Sequence, residues 1–212
     1  MAKRILAGAM AGIFLAASPV LACKGPNVQF SDDFREVDAS WGSEPGIVSV
    51  EEGKVKIKAD ANSGYNIMYS GTPFDDADIC VTVSSPKDAT TKNQAAGGLI
   101  FWGADYDNFY VFEIDPVGNV ALQRKLKGKY TVVMPWKASN LIKTDPGAKN
   151  MLRVTTSGNS ITLYINDLKL ASLKGQVPPG GGAVGLHSES EKAKHDTWKF
   201  SDLKVTDIAP PQ

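Results

Sequence analysis

Histidine and cysteine are scarce in this chain, with two of each among 212 residues. His187 and His195, together with the widely separated Cys23 and Cys80, do not provide the close CxxC or CxxxH spacing of a structural zinc site. A serine triad or two-histidine metal centre would need both imidazoles in unusual positions. His195 stands in the polar stretch 188–196, which reads as a solvated loop. An excess of charge of one sign is also missing. Lysine plus arginine number 23 and aspartate plus glutamate 23, with no basic block interleaved with aromatics, which argues against a nucleic-acid surface. No glycine-rich loop lies between a strand and a helix, so nucleotide binding lacks support. After residue 22 no apolar run approaches the ~18 residues of a membrane span, and no window sustains a helical apolar period.

Residues 1–22 read as a secretory signal peptide. Lys3 and Arg4 supply the basic start, Ile5 to Val20 the apolar stretch, and Ala22 the small residue at the cut. The mature chain then begins at Cys23, in an exported protein destined for the periplasm or the outside of the cell. Exported thiols usually oxidise, so a Cys23–Cys80 disulfide is expected. The competing reading is a lipid anchor on Cys23 directly after the cleavage site, although Leu21 is larger than that signal usually carries.

Beyond Cys23, short apolar runs with period two alternate with clusters of Gly, Pro, Asn and Asp. They predict strands near 28–34, 46–50, 54–60, 65–70, 77–84, 96–103, 108–115, 119–126, 130–134, 150–156, 160–166, 168–173, 182–187 and 197–206. So many short, regularly spaced strands predict an all-β sandwich or barrel. The domain is expected to span 23–206, with a flexible tail at 207–212.

Two hairpins fix which side chains share a face. Across an Asn166-Asp167 turn, Ile165 should oppose Leu168 and Leu163 oppose Leu170, all four pointing into the core. Across 116–118, Ile114 should oppose Val120 and Phe112 oppose Leu122, leaving Val111, Glu113, Ala121 and Gln123 on the other face. In the same way Leu99, Phe101, Val184 and Leu186 are expected inside, with Ile100, Trp102, Gly185 and His187 outside. Trp41, Trp136 and Trp198 are assigned to core or edge packing.

Several segments taken together resemble concanavalin A-like domains: Phe30 to Phe34 followed by Trp41, Gly98 to Phe101, Asn108 to Ile114, Asn150 to Val154, the Ile161–Leu173 hairpin, Val184 to His187, and Trp198 to Val205. Within that superfamily the resemblance is nearest to exported laminin-G-like and 3-keto-disaccharide-hydrolase-like domains. It implies a two-sheet antiparallel jelly-roll sandwich of six or seven strands per sheet, with a sugar site often on the concave sheet. Lectins, glycosidases and inert structural modules share the fold.

The resemblance also raises catalysis. Glucanases of the superfamily place Glu-x-Asp-x-x-Glu on one strand. Here Glu113 and Asp115 match, but Gly118 stands in the third position and Pro116 ends the strand. Glucanase chemistry therefore does not carry over, and no catalytic residue is assigned. Glu113 is the residue to test if the chain is a glycoside or 3-keto-disaccharide hydrolase. The favoured expectation is a non-catalytic module that binds a glycan or sugar-like ligand. Its site would comprise Trp102, Glu113, Gln123 and His187 on the outward face, with Tyr106 in the adjoining loop, because sugars need a stacking ring beside polar groups. A structural or protein-interaction module of the cell envelope is a further alternative. No cofactor is expected apart from a calcium candidate at Asp32, Asp33 and Asp202, where oxygen ligands suit the ion.

Overall fold

The computed structural model describes residues 23–36, 38–42, 44–88 and 95–209. The signal-peptide reading therefore falls outside the described residues. Among those residues the chain forms fourteen strands and a single 3-10 turn at Ala39–Trp41. In chain order the strands are β1 (Val28–Asp32), β2 (Val48–Val50), β3 (Val55–Lys58), β4 (Gly64–Met68), β5 (Asp78–Ser84), β6 (Ala96–Asp105) and β7 (Asn108–Ile114), followed by β8 (Asn119–Leu126), β9 (Lys129–Ala138), β10 (Lys149–Ser157), β11 (Ser160–Ile165), β12 (Leu168–Lys174), β13 (Ala183–Glu189) and β14 (Thr197–Thr206). Each overlaps one of the predicted strands. The turn at Asp38 to Gly42 had no such signal; the Asp38 carboxylate caps it by accepting from Ser40 N–H at 2.8 Å.

The strands form two antiparallel sheets, one of eight strands and one of six, rather than six or seven in each. The larger runs β12-β11-β10-β5-β14-β3-β2, with β1 pairing the far half of β14. The smaller runs β4-β13-β6-β7-β8-β9. Between them lies one apolar core that includes Ile79, Val81 and Val83 from β5, Phe112 and Ile114 from β7, and Val184 and Leu186 from β13. Burying each such side chain contributes roughly 1.5–3 kcal/mol. Edge strand β9 carries Pro135 in its middle and loses register with β8 on both sides of Leu122.

The predicted hairpin registers hold where chain geometry is regular. Ile114 opposes Val120 and Phe112 opposes Leu122. Asn166 and Asp167 both adopt positive φ, at 50° and 68°, as a two-residue hairpin turn of the I′ kind requires. Across that turn Ile165 does oppose Leu168, but the register then shifts so that Leu163 opposes Ala171 instead of Leu170. Leu168 is 57% exposed, so it does not join the core as expected. Leu168 stands beside the turn at the start of edge strand β12, and the extra residue, Leu170, follows it in the strand.

Cys23 and Cys80 form a disulfide, closing a 57-residue separation. The sulfur that a lipid anchor on Cys23 would need is thus the one bonded to Cys80. The bridge holds Cys23 on the outer surface of β5. There Lys24 N–H donates to Asp78 Oδ2 at 2.9 Å. Arg153 reaches the same carboxylate through Nε at 2.7 Å and Nη2 at 2.8 Å, with both side chains buried. At the other end, Asp207 is not loose: its N–H donates to Asn27 O, and its carboxylate accepts from Asn27 N–H and Nδ2.

Candidate functional site

The outward face of the six-stranded sheet collects the polar side chains whose parity was read from the hairpins. The register aligns Asn66 on β4, His187 on β13, Gly98 on β6 and Glu113 on β7 in one row. His187 and Glu113 are two strands apart, yet their side chains meet, because Gly98 between them has none. A Cβ at Gly98 would lie 2.7 Å from Phe112 O and 3.0 Å from Glu113 Cβ, so only glycine fits. His187 Nε2 lies 3.5 Å from Glu113 Oε2 and 3.9 Å from Glu189 Oε2. Gln123, diagonal to Glu113 on β8, donates from Nε2 to Glu113 Oε1 at 2.5 Å. On the far side of the ring, His187 Nδ1 sits 2.7 Å from Asn66 Oδ1, within hydrogen-bond distance.

This cluster is a satisfied polar island on an otherwise apolar floor. Met68, Ile100, Phe109 and Val111 form a small separate group of buried residues at the same parity. Glu113 is 1% exposed, and burial pushes its carboxyl above the ordinary range; His187 and Gln123 pull it back in part, and Glu189 adds to the rise. The edge strand brings Tyr130 over the cluster. Burial raises the phenol first, Asn66 opposes that shift by hydrogen bonding, and Glu113 and Glu189 raise it further. The Tyr130 ring remains 47% exposed and lies edge-on to Phe109. Lys125 stands 5.5 Å from the centre of the Tyr130 ring.

Of the five expected ligand-binding residues, Glu113, Gln123 and His187 come together as read. Trp102 does not join them. Its indole is 1% exposed and lies in the core between the sheets, edge-on to Tyr110 at 5.4 Å and tilted against Phe101 at 5.5 Å. The reason is local: the register between β6 and β7 shifts between Phe101 and Asp105, and Trp102 adopts φ 51°. This bulge breaks the alternation, so that Phe101 and Trp102 both turn inward. Tyr106, in the β6–β7 turn, is exposed, and its carbonyl accepts from Lys125 Nζ at 2.9 Å. Among the described residues it makes no hydrogen bond or ring contact with the Glu113 cluster.

Three members of the site escaped the sequence reading. Asn66 and Glu189 were legible in principle, since Asn66 alternates with core-facing Ile67 and Glu189 lies two residues beyond His187 on the same face. Tyr130 arrives by the course of the edge strand, which no local pattern encodes.

Asp115, the second carboxylate of the glucanase-like spacing, is a turn residue. Its carboxylate accepts from the N–H groups of Val117 and Asn119 and from Asn119 Nδ2. The aspartates weighed for calcium are likewise engaged locally. Asp32 accepts from Phe34 N–H and the Trp41 indole, Asp33 pairs with Arg35, and Asp202 accepts from Ser201 Oγ. Among the described residues the grouping suited to a cation is elsewhere, at Glu113, His187 and Glu189, whose ligand atoms all lie within 4.8 Å of one another. Two carboxylates and an imidazole suit a first-row divalent ion better than calcium, which favours oxygen alone. Trp41 and Trp198 are buried as expected, whereas Trp136 is 44% exposed on the edge strand.

No protein-family model matches the chain, and no curated protein matches it either. Solved structures do. The carbohydrate-binding module CBM66 from Bacillus subtilis is 18% identical, covers 72% of this chain and 86% of its own, and superposes with a TM-score of 0.59. The Emp47p carbohydrate recognition domain is 15% identical over 86% of this chain and 98% of its own, at 0.64. The Bacillus licheniformis beta-glucanase is 10% identical over 85% and 98%, at 0.60. The chain has the concanavalin A-like jelly-roll fold. Within it, the Glu113 cluster occupies the outer face of the six-stranded sheet. The concanavalin A-like architecture shows how that face is built; the chemistry follows from the residues themselves.

Proposed function

We propose that this is an exported carbohydrate-binding domain whose ligand lies against the Glu113 face and is held without being cleaved. The observation that carries the reading is the mutual arrangement of Asn66, His187, Glu113, Gln123 and Glu189 beneath a half-exposed tyrosine. A sugar presents a rim of hydroxyls, each a donor and an acceptor, and apolar C–H faces. Carboxylates, amides and an imidazole meet the first, and an aromatic ring meets the second. Tyr130 takes the stacking role first given to Trp102. The disulfide and the oxidising compartment it favours agree with export. A glycan array followed by calorimetry tests the proposal. A bound glycan should lose about tenfold in affinity when Gln123→Ala removes one hydrogen-bonding group, a change of roughly 1.4 kcal/mol. Silence across a broad polysaccharide set overturns it, and recovery of a protein partner from envelope extract would then favour an interaction module.

One observation favours a hydrolase as the second reading. The Glu113 and Glu189 oxygens lie within 4.8 Å of each other, close to the ~5–5.5 Å of a retaining pair, and their environments differ. Glu113 is buried with its proton favoured, whereas the Glu189 side chain is 46% exposed. This division is the one an acid and a nucleophile require. The reading predicts sugar release from glycosides or 3-keto-glycosides that Glu113→Gln abolishes.

A further inference from the structure

The outer face of the eight-stranded sheet holds a groove of about 850 Å³, whose chemistry differs from that of the Glu113 face. Its floor is a row set by strand register. Ser49 on β2 opposes Lys56 on β3, Lys56 opposes Lys199 on β14, Lys199 opposes Ser84 on β5, and Ser84 opposes Lys149 on β10. Lys54, Lys58 and Lys87 also line the groove, so six lysines face two acids, Glu52 and Asp88. Those acids do not balance them. Asp88 is engaged by Lys194 at 3.0 Å, while Glu52 stands 4.0 Å from Lys54. Lys56 pairs with Glu51, outside the lining. Among the described residues, Lys58, Lys87, Lys149 and Lys199 have no carboxylate within ion-pair distance.

We infer that this groove binds an acidic glycan, a carboxylated or sulfated polysaccharide chain laid across the strands. Like charges gathered in a concave surface concentrate field and attract a polyanion. The lysines crowd one another already: burial, and then Lys56, Lys87 and Lys54, lower the pKa of Lys199. An anion would relieve that repulsion. Adjacent strands are ~4.8 Å apart, a step comparable to one pyranose ring, so Lys56 and Lys199 are placed for successive acidic sugars and Lys149 for the next but one. Ser49 and Ser84 offer hydroxyl partners in the same row. Among the described residues, the lining has no Phe, Tyr or Trp. Stacking platforms that hold single-stranded nucleic acid or a neutral sugar are therefore missing here, which favours the acidic glycan. The inference does not depend on the Glu113 site.

The test is calorimetry of the purified protein with oligogalacturonate, beside a neutral glucan oligomer and single-stranded DNA of matched length. Saturable binding of oligogalacturonate is expected, about tenfold weaker when salt is raised to shorten the screening length, with neither control bound comparably. Lys149→Gln combined with Lys199→Gln should cost at least about tenfold in affinity, while Lys129→Gln, an exposed lysine on the other sheet, should leave it unchanged. If the double variant fails to fold by circular dichroism, Lys149→Gln alone, at an exposed position, should still cost about threefold. Absence of saturable binding, equal binding of DNA, or equal loss with Lys129→Gln overturns the inference.

Discussion

The two sheets turn opposite chemistry outward. On the six-stranded sheet the central polar groups are buried and engaged with one another: Glu113 with Gln123 and His187, and His187 with Asn66. On the eight-stranded sheet the lysines of the groove are partly or fully exposed, and four of them lack a carboxylate partner among the described residues. Burial accounts for the difference. A polar group removed from water must find partners within the protein, whereas one left in water can remain in surplus. The first face is built to present a fixed pattern, the second to present a field.

The comparison can be broken first at Asp78 and Arg153, which belong to the eight-stranded sheet yet obey the rule of the other. Arg153→Met should destabilise the protein by about 3–5 kcal/mol in urea titration, because Asp78 stays buried with its principal partner gone. A loss near zero would mean that sheet identity, and not burial, governs pairing. The next effect is at Gly98, where Ala should cost about 1–3 kcal/mol through contact with the β7 backbone. The same substitution should push Glu113 and His187 apart and weaken glycan binding there, leaving the lysine groove unchanged.

A pH series sharpens the contrast. The folded state raises the Glu113 carboxyl above its ordinary value of 4.5. Between that value and the folded one, the native state holds a proton that the unfolded state has lost. Stability should therefore fall as pH rises, by about 1.4 kcal/mol per unit from this group, then level off. Measured against wild type, Glu113→Gln should gain stability across that window and no further above it. The smallest effect is at Lys199. Its pKa is lowered by burial and neighbouring lysines, so Lys199→Gln should stabilise the protein slightly, within about 0.5 kcal/mol, and less at high salt.

Much of the architecture was legible because period-two alternation is a strict geometric consequence of the pleat. Phe112, Ile114, Val120 and Leu122 announce both the strand pair and its core face, and that pairing placed Glu113 and Gln123 outside. His187 followed from Val184 and Leu186 by the same rule. The reading failed where a residue is inserted into the ladder. Trp102 sits at such a bulge and Leu170 at another; in β6 the unbroken apolar run from Leu99 to Trp102 does not say which of its residues face inward. A bulge is decided largely by the partner strand and by the twist the sheet needs. The meeting of His187 with Glu113 was hidden for a related reason: it depends on Gly98 lying between them, a fact of sheet order and not of sequence neighbourhood. The lysine row is the plainest case, since Lys56, Lys149 and Lys199 are neighbours only after β3, β14, β5 and β10 are laid side by side.

The broken edge strand β9 bears on how such a sandwich resists edge-to-edge association. Pairings such as β1 with β14 join the two ends of the chain, so the sheets close only after long loops have formed and their margins wait in solvent meanwhile. An incoming strand that tries to zip along β9 meets Pro135, which offers no N–H, and a ladder already out of step with its neighbour. Amyloid-like stacking needs an uninterrupted, flat border, and this margin of the molecule does not supply one.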